Sequence, residues 1–133
     1  MRTTPIILLA FCVTASTSVY CPKSYVITKN DVEKSYFVAL VEAESSKETQ
    51  DSYGKYYEFG LKYEKLFQWW HYWVAQSYII YDAPKSLRIH RWCSIRLQPG
   101  QKYVLGCKSF SECHFVKAYN SLTPAEKKLV EQQ

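Results

Sequence analysis

Cys21, Cys93, Cys107 and Cys113, with Cys12 upstream of them and histidines at His71, His90 and His114, are the residues whose types could support sulfur or metal chemistry. A structural zinc site needs paired short Cys or Cys/His spacings; Cys107, Cys113 and His114 offer only C-x5-C beside one histidine. Thiol redox catalysis needs C-x-x-C, which the sequence lacks. The histidines are scattered and no serine stands in a nucleophile elbow, so no catalytic residue, metal site or cofactor is expected, and the chain reads as a non-enzyme. Oxidation to disulfides is the chemistry that remains. Cys12 lies in an apolar leader and is expected to leave with it, so an even number of cysteines stays in an exported chain, and two bridges are the default. Four cysteines allow three pairings, among which spacing alone does not choose.

The leader is read from three features. Met1 to Pro5 carry one positive charge, Ile6 to Val13 form an apolar run too short to span a bilayer, and Thr14 to Ser18 are small and polar. Residues 1–18 are therefore expected to be a cleaved secretory signal and 19–133 a single secreted, extracellular domain. Small residues at the cleavage position favour a cut after Ala15 or after Ser18, whereas a cut before Cys21 would place bulky Tyr20 there. Cys21 should thus carry a tail of at least Val19-Tyr20. No later apolar run is long enough for a membrane helix. The formal charge of +5 drops by one with Arg2, and its cations are interspersed with acids, which argues against a nucleic-acid or polybasic membrane surface.

The elements that must position these residues are mostly strands. Ser35 to Val41 is apolar on both parities, as a central strand covered on two sides would be. Lys55 to Lys65 alternates, with Tyr57, Phe59, Leu61 and Tyr63 on one face, and Gly60 within it suggests a bulge or sharp bend. The polar stretch Glu44 to Ser52, closed by Gly54, reads as an exposed hairpin loop. A third strand is expected over Gln76 to Asp82, ended by Ala83-Pro84, a fourth near Trp92 to Leu97, and a fifth near Gln101 to Gly106 after a Pro99-Gly100 type II turn. A last strand covers His114 to Tyr119. Thr123-Pro124-Ala125-Glu126 then has the pattern of a capping box opening a C-terminal helix, on which Ala125 and Leu129 share a face. Short strands plus a terminal helix point to a mainly β, OB-like five-stranded Greek-key barrel. An immunoglobulin-like sandwich is the rival, because Cys21 and Cys93 bracket Trp69, Trp70 and Trp73.

Ile79-Ile80-Tyr81-Asp82-Ala83-Pro84, the loop ending in Cys93, Gly100 to Gly106, and Cys113 to Thr123 with Glu126 to Leu129 carry a resemblance over nearly the whole mature chain. The sequence resembles the netrin-like inhibitory domain of the tissue inhibitors of metalloproteinases, and in particular the short single-domain secreted proteins of hookworms and other nematodes. The resemblance implies an OB-like barrel flanked by helices and a bridge from Cys21 to Cys93. It matches Cys113 to a family cysteine whose usual partner is the second cysteine of an N-terminal Cys-x-Cys. Lys23 stands at that second position and Cys107 is additional to the pattern, so a substitute Cys107–Cys113 bridge is expected.

In the inhibitors the free amine and carbonyl of the leading cysteine chelate the protease zinc and the next side chain enters the specificity pocket. That geometry needs a true amino terminus, because a peptide nitrogen has a delocalised lone pair. The tail, Pro22 and the missing cysteine together make a secreted protein-binding effector the expected function; inhibition of a zinc metalloproteinase through Cys21, Pro22 and Lys23 is the alternative, and a small apolar ligand a third. The expected partner is an extracellular protein, met by a monomer. Two further contacts are candidates. Leu66 to Trp73, with Trp69, Trp70, Tyr72 and Trp73, is either a partner site or a satellite core capping the barrel. Lys85 to Trp92, with Lys85, Arg88, His90, Arg91 and Trp92, is either a basic contact loop beside Cys21 or a solvated one.

Overall fold

The computed structural model describes residues 21–52, 54–71 and 73–131. The leader with Cys12 and the Val19-Tyr20 tail lie outside the described residues. Two long strands dominate. β1 (Phe37–Asp51) and β2 (Gly54–Trp69) form an antiparallel hairpin that pairs through to Asp51↔Gly54. The polar stretch from Glu44, expected as a loop, is therefore strand up to Asp51. Its polarity fits a ribbon that is mostly exposed: Lys47 faces Glu58 and Thr49 faces Tyr56 across the pair, and of residues 44–51 only Thr49 is part-buried. Gly54, which opens the returning strand, has φ +128°, a backbone region that favours glycine. Gly60 does mark a bulge, which lies on the partner strand between Ala43 and Ser45. A Cβ at Gly60 would come 2.8 Å from the Ser45 hydroxyl.

β3 (Ser86–His90) pairs with β2, β4 (Lys102–Cys107) with β1, and β5 (Cys113–Ala118) with β4, all antiparallel, in the order β3-β2-β1-β4-β5. One mainly β, five-stranded sheet is present, not the two sheets of a sandwich. All five strands contribute to a single inner core with Phe37, Val41, Phe59, Ile89, Leu105 and Val116, so the sheet curls around it. The opposite parity of β1 and β4, Val38 and Val104, packs outward against Phe67, Phe115, Ile27, Leu122 and Val130. This two-sided burial explains the continuous apolar run at the start of β1.

Among the described residues three α-helices flank the sheet: α1 (Lys29–Glu33), α2 (Gln76–Asp82) and α3 (Pro124–Glu131). The segment expected as a third strand is α2. Its β-branched and aromatic residues favour a strand, but Ile79 and Ala83, one turn apart, are buried against the sheet, and the Gln76 amide oxygen accepts the Leu66 N–H at 3.0 Å. Pro84 stops the helix, and the Lys85 ammonium donates to the carbonyls of Ile80, Tyr81 and Ala83 at its end. The true third strand, β3, occupies what was read as a basic loop. Its inward residues, Leu87 and Ile89, are separated by Arg88 on the outer face. Residues 92–97 are consequently no strand: Arg91–Cys93 form a 3-10 turn, Ser94 has φ 58°, and Leu97 inserts into the core. The following turn is as expected, with Gln101 N–H donating to Gln98 O and Gly100 at φ +89°.

The α3 capping box is formed reciprocally: Glu126 N–H donates to Thr123 Oγ1 at 3.1 Å and Thr123 N–H to Glu126 Oε1 at 2.8 Å. The buried face of α3 is Glu126 and Val130, however, and Ala125 points to solvent. The Glu126 carboxylate explains this, since it also accepts the Ile27 N–H at 2.8 Å and Lys117 Nζ at 2.9 Å.

Candidate functional site

The amino-terminal segment is a strap across the open seam of the sheet. Among the described residues no ladder joins β3 to β5, the outer strands of the order. Lys23 instead pairs in parallel with Phe115 of β5: its N–H donates to His114 O and its carbonyl accepts the Val116 N–H, both at 2.9 Å. Cys21 is bonded to Cys93, just beyond β3. Cys107 is bonded to Cys113 across β4 and β5. The first is the pairing that the family resemblance implied, and the second is the substitute bridge expected where the sequence departs from it.

Side chains reinforce the strap. Lys23 Nζ lies 2.7 Å from Asp31 Oδ2 in α1. Burial pushes the Asp31 carboxyl up, but Lys23 and the backbone and hydroxyl of Thr28 outweigh it and hold the group below its ordinary value. Farther along, Ile27 is tied to Glu126. Burial again acts upward there, and the N–H groups of Ile27 and Thr123 with the Lys117 ammonium bring Glu126 down to about 2. Cys21 is exposed and Pro22 buried. Beside Cys21 only part of the expected basic contact stays free to meet a partner. Lys85 is spent on α2, Arg88 pairs with Asp51 at 3.8 Å and lies over the Tyr56 ring, and His90 is buried, accepting the Trp92 N–H. Arg91 is exposed, and Trp92 is 72% exposed with its ring 4.6 Å from that of His90.

The aromatic run divides into a buried and a displayed half. Leu66 and Phe67 are core residues at the end of β2, and Trp69 is partly buried with its indole N–H donating to Val74 O at 2.8 Å. Trp70 and Trp73 are 66% and 70% exposed; Tyr72 lies outside the described residues. His71 connects the two halves: its Nδ1 is 2.9 Å from the Tyr36 hydroxyl and its ring is 4.8 Å from that of Trp73. Trp70 and His71 form one wall of a groove of about 360 Å³ that Glu33 to Tyr36 and Lys108 complete.

His114 sits behind this groove, buried, with Nε2 2.7 Å from the Ser35 hydroxyl. Burial, together with Lys108 and Lys34, pushes the imidazole below its ordinary value, against the opposing pull of Asp31 and Glu112. The Ser35 hydroxyl also lies 2.9 Å from Asp31 O, to which it can donate. Among the described residues, no three His, Cys, Asp or Glu side chains gather as metal ligands, and no helix is long and apolar enough to cross a membrane.

The family model AceES-2, excretory-secretory protein 2, matches residues 19–131. The chain belongs to this family. It is also similar to the crystal structure of Ancylostoma ceylanicum excretory-secretory protein 2, with 27% sequence identity and a TM-score of 0.55 over 86% of this chain and 96% of that one. No curated protein matches. Membership of an excretory-secretory family implies a secreted protein, in line with the leader.

In this excretory-secretory protein the residues picked from sequence fall at two separate places: Cys21, Pro22, Lys23, Arg91 and Trp92 at the strap, and Trp69, Trp70 and Trp73 at the groove end. Sequence reasoning missed Lys34, Tyr36 and Lys108. Tyr36 was absorbed into the apolar run of the first strand. Lys34 and Lys108 are 74 residues apart and line one groove because the chain before β1 lies beside the β4–β5 turn, through Tyr36 N–H donating to Cys107 O. No short-range signal could have joined them.

Proposed function

We propose that this excretory-secretory protein 2 family member is a secreted, monomeric, non-enzymatic protein that binds an extracellular protein partner, on a netrin-like scaffold whose zinc-chelating amino end has lost its function. Burial of Pro22 carries this reading. A side chain packed into the domain is not free to enter a protease pocket, and Lys23 on its other side has both backbone groups committed to β5. The register supports the netrin-like scaffold. Residue 23, where the inhibitors place their second cysteine, bonds to His114 and Val116 immediately after Cys113, whose sulfur Cys107 takes up instead. Binding is assigned to Trp70 and Trp73, since large exposed indoles are costly to leave in water and dominate contact hot spots.

Mass spectrometry of the secreted protein's amino terminus, beside a collagenase inhibition assay, tests the reading. A start at Val19 or earlier and no inhibition are expected. A start at Cys21, with inhibition that one added alanine abolishes, would replace this reading with that of a metalloproteinase inhibitor. A bound extracellular protein is expected to be released by Trp70→Ala with Trp73→Ala and to be indifferent to that added alanine.

A further inference from the structure

We infer that the groove beside Trp70 receives a protein segment in which a carboxylate flanks a large apolar side chain. This inference rests on the chain being a protein-binding scaffold and specifies the chemistry of what it binds. The groove combines two recognition elements. Trp70 and Tyr36 provide an apolar and aromatic surface, and the Tyr36 hydroxyl is held by His71, which limits the ring's freedom before any partner arrives. Lys34 and Lys108 border that surface from α1's end and from the β4–β5 turn, and both are exposed.

Charge decides the partner's sign. Lys34 and Lys108 form no salt bridge among the described residues, as holds for several other surface cations, but these two are the ones that border the groove. Glu33, the one acid lining the groove, is matched by Lys29 at 3.8 Å. Behind the groove, Lys108 and Lys34 act on the His114 imidazole against Asp31 and Glu112, and of those two acids Asp31 is already paired with Lys23. An apolar segment alone would leave these cations beside a desolvated surface with no counter-charge. A carboxylate placed next to the apolar anchor satisfies them and gains charge-assisted hydrogen bonds. The chain's excess of positive charge adds attraction at longer range.

The test uses the full secreted chain with both disulfides formed, labelled with nitrogen-15 and titrated with the blocked peptide acetyl-Glu-Leu-Asp-Leu-amide or its isosteric counterpart acetyl-Gln-Leu-Asn-Leu-amide. Shifts are expected at Lys34 to Tyr36, at Trp70 and His71 and at Lys108, with the acidic peptide binding about tenfold more tightly than the amide one. Salt should erode that preference. Lys34→Gln with Lys108→Gln, both at exposed positions, should reduce the acidic peptide to the level of the amide one without changing the melting temperature. Equal response to the two peptides, no shift at all, or shifts centred on Trp92 would overturn the inference. With a protein partner the two claims separate. Binding that survives the double lysine variant but fails in Trp70→Ala removes the acidic requirement and leaves the docking reading standing, whereas binding that survives both removes the docking reading itself.

Discussion

The strap and the Trp70 end of the barrel are both built from a few residues with large side chains, yet they are held in opposite ways. Between Cys21 and Thr28 the chain is fixed by a disulfide, a two-sided backbone bridge to β5, a lysine–aspartate pair and a buried glutamate that takes an N–H. Around Trp70 and Val74 the contacts include Trp70 N–H to Tyr36 O, Val74 N–H to His71 O and the Tyr36–His71 pair, while Trp70 and Trp73 stay largely exposed. The difference teaches where structure ends and display begins. Bonds concentrate where the sheet would otherwise gape, and aromatic area stays exposed where the fold does not need it.

Breaking the strap should have the largest effect. Cys21→Ser with Cys93→Ser opens a loop of 72 residues and should cost about 4 kcal/mol, against about 2 kcal/mol for Cys107→Ser with Cys113→Ser, which closes only 6. Urea denaturation measures both, and equal losses would contradict the idea that the long bridge closes the seam. Next comes Glu126→Gln, expected to cost about 3 kcal/mol because it strands the Lys117 ammonium in a nearly buried site. The same group sets an acid limit. A carboxyl lowered from 4.5 to about 2 on folding adds stability that is complete above 4.5 and fades as the pH falls towards 2, so the wild-type loss in that window should be much reduced in Glu126→Gln.

His114 sharpens the comparison because it touches both regions, its carbonyl at the strap and its ring behind the groove. An imidazole held below its ordinary 6.5 takes a proton less readily when folded. Stability should therefore be complete above 6.5 and decline as the pH falls through the folded value, a decline that His114→Asn should flatten in denaturation midpoints measured between roughly pH 5 and 7. At the other region, Trp69→Ala should cost about 2 kcal/mol, as a partly buried ring with a hydrogen-bonded indole. Trp70→Ala, one residue later, should change stability by no more than about 0.5 kcal/mol. A Trp70→Ala protein that unfolds would show that this ring is core and end its role as a contact.

Several elements were legible in the residues themselves. The both-parity run from Phe37 to Val41, the alternation from Tyr57 to Tyr63, the Pro99-Gly100 turn and the Thr123/Glu126 box are local patterns, and each appears where it was expected. Others were misread, among them Trp92 to Leu97, expected as a strand and found as a 3-10 turn and loop. Gln76 to Asp82 has the composition of a strand and packs as a helix because two positions one turn apart found a buried face. Glu44 to Asp51 was polar through exposure, not through being a loop. Lys85 to Trp92 hid the Leu87/Ile89 alternation under its basic residues, whose charges the fold then engages at α2 and at Asp51. The groove was the least legible part, since its lysines come from distant segments and its tyrosine looked like an ordinary core residue.

By itself the sequence determined which residues repeat with the period of a strand, where turns and caps fall, and that the cysteines of an exported chain would pair, because these depend on chemistry within a few residues. Only the tertiary structure decided that the amino end straps β5 to the turn after β3, that Pro22 is buried while Trp70 is displayed, and that Lys34 and Lys108 border one groove. Those outcomes depend on which distant surfaces come together when the sheet curls, and on which backbone groups are left over to be satisfied once it has.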